Sequence, residues 1–277
     1  MERVLTFDFF RWRLVLIGGT IIGLILLAAI FAPLITPYSP YDLDVAMMLQ
    51  GPSSSHWLGT DELGRDTFSR TIYAARISMQ VAFIAAGVGL VFGTLIGVVA
   101  AYFGGWVDLV LMRFMELLFS FPAILLAVVL MASLGTSIFN AMIAIGIVFI
   151  PGFSRLARAA TEVVLREQYV EAARAIGMGH GRILVREILP NILAPLLVEA
   201  AIAFSYAILL ESALSFLGLG AQPPEASWGN MLNTGRGFMS QAPWLSLVPG
   251  MAIFLCVLGF NFIGDGLRDI LDPHMKD

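Results

Sequence analysis

Apolar residues fall in long blocks along this chain, with the polar residues gathered between them. Six blocks stand out, at 14–32, 77–101, 110–132, 138–153, 191–210 and 244–263. Several exceed the ~18 apolar residues that mark a bilayer crossing. The expected fold class is all-α: a polytopic membrane protein with six transmembrane helices. One interval, residues 170–195, cannot sit in lipid, because it carries Glu171, Arg174, His180, Arg182, Arg186 and Glu187. It needs water or a protein partner. Glu171 to Ile176 reads as a short helix ending at Gly177, a residue free to take positive φ. A second helix is expected from about Gly181, with Leu184, Ile188 and Ile192 on one face, Arg182 and Arg186 on another, and Pro190 as its close.

Composition supports the membrane reading: mean hydropathy is +0.86 and only 13% of residues are charged. In such a chain the placement of arginines matters more than the net charge of -4. With six crossings both termini share a side, which also holds Arg155, Arg158, Arg166, Arg174, Arg182 and Arg186 besides Arg3, Arg11, Arg13, Arg268 and Lys276. The opposite side has Arg236, with Arg65, Arg70 and Arg76 in a long loop. The positive-inside rule therefore makes the termini and the 170–195 hairpin cytoplasmic.

Smaller features refine the picture. The apolar run at 14–32 has 19 residues, more than the 7–15 of a signal-peptide core, so it reads as an uncleaved anchor. Gly87, Gly89, Gly93 and Gly97 leave a flat helix face for close packing. Pro122 and Pro151 predict kinks, and Asp108, Arg113 and Glu116 a short polar turn. His56 with Asp61, Glu62 and Asp66 lacks regular ligand spacing and reads as a hydrogen-bonded loop rather than a metal site. Gly218, Gly220, Pro223 and Pro224 end a helix in an irregular loop. Two acids lie in the fifth block. Counted from Asn191, Glu199 stands about 12 Å along the helix and Glu211 about 30 Å. Glu211 is expected to snorkel to the far interface, and Glu199 to face protein or water.

No catalytic, cofactor or metal site is expected. Cys256 is the only cysteine and Lys276 the only lysine. There is no G-x-x-x-x-G-K-[ST] loop to cradle nucleotide phosphates, and no H-E-x-x-H, G-x-S-x-G or cysteine nucleophile near a histidine. An enzyme and a nucleic-acid binder are both poor fits, the latter because the basic residues are not gathered with stacking aromatics.

Glu171-Ala172-Ala173, then Gly177, then Ile188-Leu189-Pro190, resembles the EAA signature of permease subunits of bacterial ABC importers. The resemblance implies that this loop docks into an ATPase subunit, through Glu171, Ala172, Ala173, Arg174, Ile176 and Gly177, with Leu189 and Pro190 completing the signature. It also implies a type I importer permease. HWLGTDELGRDTFSRTIYAARIS from His56, SFLGLG from Ser215 followed by AQPPEASWGNML, and the tail from Gly264 are similar to the dipeptide, oligopeptide and nickel branch. The implied partners are a second permease, two ATP-binding subunits, an extracytoplasmic solute-binding protein and a small peptide, in a bacterial inner membrane. Residues 1–76 are expected to form an anchor helix and external segment, and 77–277 the transport core. A nickel importer is the alternative within the family; against it, the crossings contain no histidine and one thiol, Cys256. The rival class is a proton-coupled carrier using Glu199, but paired repeats are not found in these six segments.

Overall fold

The computed structural model describes residues 2–271, with side chains from residue 12 onward. The side chains of Arg3, Phe9, Phe10 and Arg11, and all of Lys276, lie outside the described residues. Nine helices carry the architecture of that range: α1 Glu2–Ile30, α2 Thr67–Phe103, α3 Gly105–Phe119, α4 Ala123–Leu134, α5 Ile138–Val164, α6 Gln168–Ala175, α7 His180–Phe216, α8 Trp228–Arg236 and α9 Trp244–Leu271. Five of them (α1, α2, α5, α7 and α9) are long and apolar enough to cross a membrane, and the bent pair α3–α4 makes a sixth span. The helices outrun the apolar blocks. Asp66 starts α2 ten residues before its block, accepting the Ser69 amide at 2.7 Å, and thereby draws Arg70 and Arg76 out of the loop and onto the helix.

Glycine decides which helices touch. A Cβ on Gly93 would stand 2.5 Å from the Phe153 Cβ, and one on Gly97 2.2 Å from the Ser154 carbonyl oxygen. The two backbones of α2 and α5 therefore meet with nothing between them, the arrangement that lets helices associate in lipid by close packing. Gly89 joins the same seam, whereas Gly87 faces open space. The α1–α9 pair repeats the device at Gly18, against the Gly259 carbonyl, and at Gly266, against Val15. Helix α7 packs on both α2 and α9.

The block at 110–132 is not a single straight crossing. Helix α3 already begins at Gly105, and α3 and α4 meet at 93° across Ser120–Pro122. Proline donates no amide proton and pushes the preceding residue out of helical geometry, so the α3 ladder stops before Pro122. Pro122 then serves as the cap of α4, its carbonyl accepting from Leu126 at 3.0 Å. At Pro151, by contrast, α5 continues unbroken. Asp108, Arg113 and Glu116 lie on α3 rather than in a turn. There Asp108 receives a two-pronged bond from Arg158 of α5, at 2.5 and 2.7 Å, and Arg113 pairs with Glu116 at 2.9 Å on the surface.

Candidate functional site

The polar hairpin is built by one positive-φ turn. Helix α6 turns Val170 and Ala173 inward and leaves Glu171, Ala172, Arg174 and Ile176 exposed, Ile176 at 78%. It ends at Gly177, whose φ is 78°. There the Met178 amide donates to the Ala173 carbonyl and the Gly177 amide to that of Arg174, each at 3.0 Å. That bond pair is the Schellman closure, in which glycine escapes the Cβ penalty of left-handed backbone. The chain re-enters helix at His180.

Two contacts clasp this hairpin to the end of α2. The Tyr102 hydroxyl lies 2.7 Å from His180 Nδ1, and the Arg174 guanidinium sits over the Tyr102 ring at 5.4 Å. Sequence reasoning missed Tyr102, because nothing local ties it to a histidine 78 residues away. Val163, Tyr169 and Val185 are also exposed. Partial desolvation, then the Glu167 and Glu187 carboxylates, raise the Tyr169 phenol above its ordinary value, so it stays neutral at physiological pH.

Pro190 does not close the second helix. Residues Leu184–Ile188 form a π turn, with the Leu189 amide reaching back to the Leu184 carbonyl, and α7 runs on through Leu189 and Pro190 to Phe216. A wider turn passes a proline that would otherwise clash with the turn before it. The Asn191 side chain caps the Glu187 carbonyl of this turn at 2.6 Å. Of the expected face, Ile188 and Ile192 are fully buried and Leu184 is half-buried, while Arg182 and Arg186 are exposed. Pro190 is exposed and Leu189 half-buried.

At the other end of the bundle, the polar segment before α2 is a bonded loop. His56 Nδ1 meets Asp66 at 2.9 Å, Arg65 reaches Asp61 at 2.7 Å and Glu62 at 2.9 Å, and Arg70 approaches Asp61 at 3.3 Å. Burial, then the neighbouring Asp61 charge, push the Glu62 carboxyl above its ordinary range in spite of Arg65. Trp228 ties the start of α8 to α2, donating to the Thr71 carbonyl at 3.1 Å, and Trp244 ties the start of α9 to the loop, donating to the Thr60 carbonyl at 3.2 Å. Glu211 does not snorkel. It is fully buried, takes a bond from Ser215 at 2.7 Å, and lies under the Ser227 cap of α8.

Between the two ends, a cavity of about 330 Å³ lies among α3, α4, α5 and α7, at the α3–α4 break. Phe119, Phe121, Phe149 and Tyr206 contribute its aromatic walls and Glu199 its one carboxylate. No local pattern in the sequence brings these rings from three blocks to one place.

Residues 93–277 match the family of the binding-protein-dependent transport system inner membrane component. The chain belongs to that family. Its residues 6–52 match the N-terminal transmembrane domain of oligopeptide transport permease C. This permease is 50% identical over 264 residues to a dipeptide transport system permease of Alkalihalophilus pseudofirmus, covering 95% of this chain and 87% of that one. It is 42% identical over 269 residues to a glutathione transport system permease of Pectobacterium atrosepticum, covering 97% and 89%. A putative peptide transport system permease of Brucella abortus is 44% identical over 266 residues, covering 96% and 90%. The permease is thus a multi-pass, membrane-embedded transport protein with the all-helical type I fold.

Proposed function

We propose that this chain is one of two permease subunits of an ATP-driven importer of short peptides, and not itself an enzyme. The carrying observation is the sharply closed α6 hairpin, which exposes Glu171, Ala172, Arg174, Ile176 and Gly177 at the end of the bundle that holds most of the arginines. In this reading Glu171, Ala172, Arg174, Ile176 and Gly177 enter a cleft of an ATPase subunit, with Ala173, Leu189 and Pro190 holding the hairpin in shape. The termini and the hairpin are cytoplasmic, on the strength of the arginine asymmetry. Residues 1–76 serve as anchor and external segment, and 77–277 as transport core. A homologous second permease, two ATP-binding subunits and an extracytoplasmic solute-binding protein complete the assembly. Movement of the hairpin biases the opening of the helix bundle, because α6 is clasped to α2 and continues into α7. The names of the relatives favour a peptide as solute.

The test is Gly177→Val together with Glu171→Lys in the reconstituted assembly. A β-branched residue at a φ of 78° is strained, and the reversed charge unpairs a docking contact. Solute-stimulated ATP hydrolysis and uptake should fall about tenfold in each, with the chain still inserted; unaltered uptake in both variants removes the docking assignment.

A further inference from the structure

Glu199 is a carboxylate with an unmet need. It lies near the middle of α7, on the wall of the cavity at the α3–α4 break, and no described side chain bonds to or pairs with it. Arg155, in the second half of α5, is stacked on the Phe119 ring at 3.5 Å instead. An acid at mid-membrane depth costs roughly 2.5 to 3.5 kcal/mol on insertion scales. Such a residue needs water or a charge partner beside it, and a cleft is where a passing cation can serve. Besides Phe119, which Arg155 already covers, Phe121, Phe149 and Tyr206 line the same space, and aromatic rings attract cations through the ring quadrupole. The volume, about 330 Å³, falls at the small end of the range for small-molecule sites. A carboxylate among aromatic side chains in a space of that size matches a small organic ammonium group.

We propose that Glu199 recognises the α-ammonium group of a peptide in transit, forming a specificity-determining subsite in the open cleft at the α3–α4 break. The proposal rests on the peptide-importer reading. A single carboxylate with apolar walls holds such a solute loosely, as a path requires, since a solute bound at many points would not leave. The bend at Ser120–Pro122 provides the space: were α3 and α4 one straight helix, Phe119 and Phe121 could not both line a cavity that also reaches Leu126.

The experiment compares uptake of a dipeptide with that of its N-acetylated form in the complete reconstituted assembly. Each is supplied at a concentration that saturates the binding protein, as measured separately. In Glu199→Gln, uptake of the free-amine peptide should fall about tenfold, while the acetylated peptide is unaffected or, if the parent excludes it, becomes admitted. Glu199→Asp, which withdraws the charge by one methylene, should lower the free-amine rate about threefold relative to the acetylated one, and it decides the matter if the Gln variant does not assemble. Equal loss for both peptides points to a subunit contact and overturns the subsite, as does unchanged uptake of both. A parent assembly that imports other solutes but neither peptide overturns the peptide reading itself, and this inference with it.

Discussion

A glycine in a membrane bundle matters only where another backbone occupies the place of its side chain. Gly97 and Gly87 stand on the same helix and differ in that respect alone. Around Gly97 the nearest atoms are the Ser154 carbonyl oxygen at 2.2 Å, the Ala157 Cβ at 2.8 Å and the Arg158 amide at 2.8 Å, while nothing lies within 4 Å of Gly87. Two of the three neighbours of Gly97 are backbone and cannot rotate aside. Gly97→Val should therefore destabilise by about 3 kcal/mol through overpacking. Gly87→Ala should be neutral or gain about 0.5–1 kcal/mol from helix propensity. Thermal unfolding of the purified protein in detergent separates the two, and a milder effect at Gly97 than at Gly87 would refute the α2–α5 seam. A second residue-scale expectation concerns Glu62. Its carboxyl is raised in the fold by burial and by Asp61, so the protonated form is the one the fold favours. That contribution is complete below the ordinary carboxylate pKa and is lost as pH rises through the raised value. Glu62→Gln should accordingly cost no thermal stability at pH 7, and any advantage over the parent should shrink on acidification; a loss at pH 7 that disappears in acid would reverse the assignment.

At the scale of elements, Tyr102 is what joins the hairpin to α2. Its hydroxyl engages His180 and its ring lies under Arg174, so the two contacts can be removed in turn. Tyr102→Phe deletes a hydrogen bond worth about 0.5–1.5 kcal/mol and keeps the stacking surface. Tyr102→Ala deletes both. Solute-stimulated ATP hydrolysis should weaken modestly in the first and severely in the second. Equal, parent-like coupling in both variants would mean that α2 does not guide the hairpin. The legibility of these elements in the sequence was uneven for a physical reason. The end of α6 was readable, since a glycine after a short amphipathic run is a local signal, and its positive φ is there. The passage through Pro190 was not, because proline reads locally as a stop, and only packing of Ile188 and Ile192 into the bundle keeps the helix going through a π turn.

At the scale of the whole molecule, the orientation and the energy source are the questions. Thiol labels placed at His180 and at Asp44, after Cys256→Ala, should report opposite faces, cytoplasmic and external respectively. Cys256 is buried, so its replacement removes background without exposing a site. Labelling of both positions from outside would sink the orientation and the docking proposal together. The chain alone in vesicles should transport nothing, whether given ATP or a proton gradient, and the complete assembly should import only with ATP inside and a loaded binding protein outside. Gradient-driven uptake by the isolated chain would restore the carrier reading that Glu199 first suggested.

The sequence by itself determined the class of the molecule, because the drive to bury apolar surface in a bilayer is set by block length, and blocks of this length leave helices as the solution. It also placed the polar hairpin, since charged residues that cannot enter lipid mark their own position. Partnership was decided by the tertiary structure. Whether Pro122 breaks a span by 93° while Pro151 leaves one whole, whether Glu211 reaches an interface or lies buried beneath α8, and which rings surround Glu199 all depend on neighbours far away in the chain. A side chain's own chemistry states what it needs; only the fold states what is beside it.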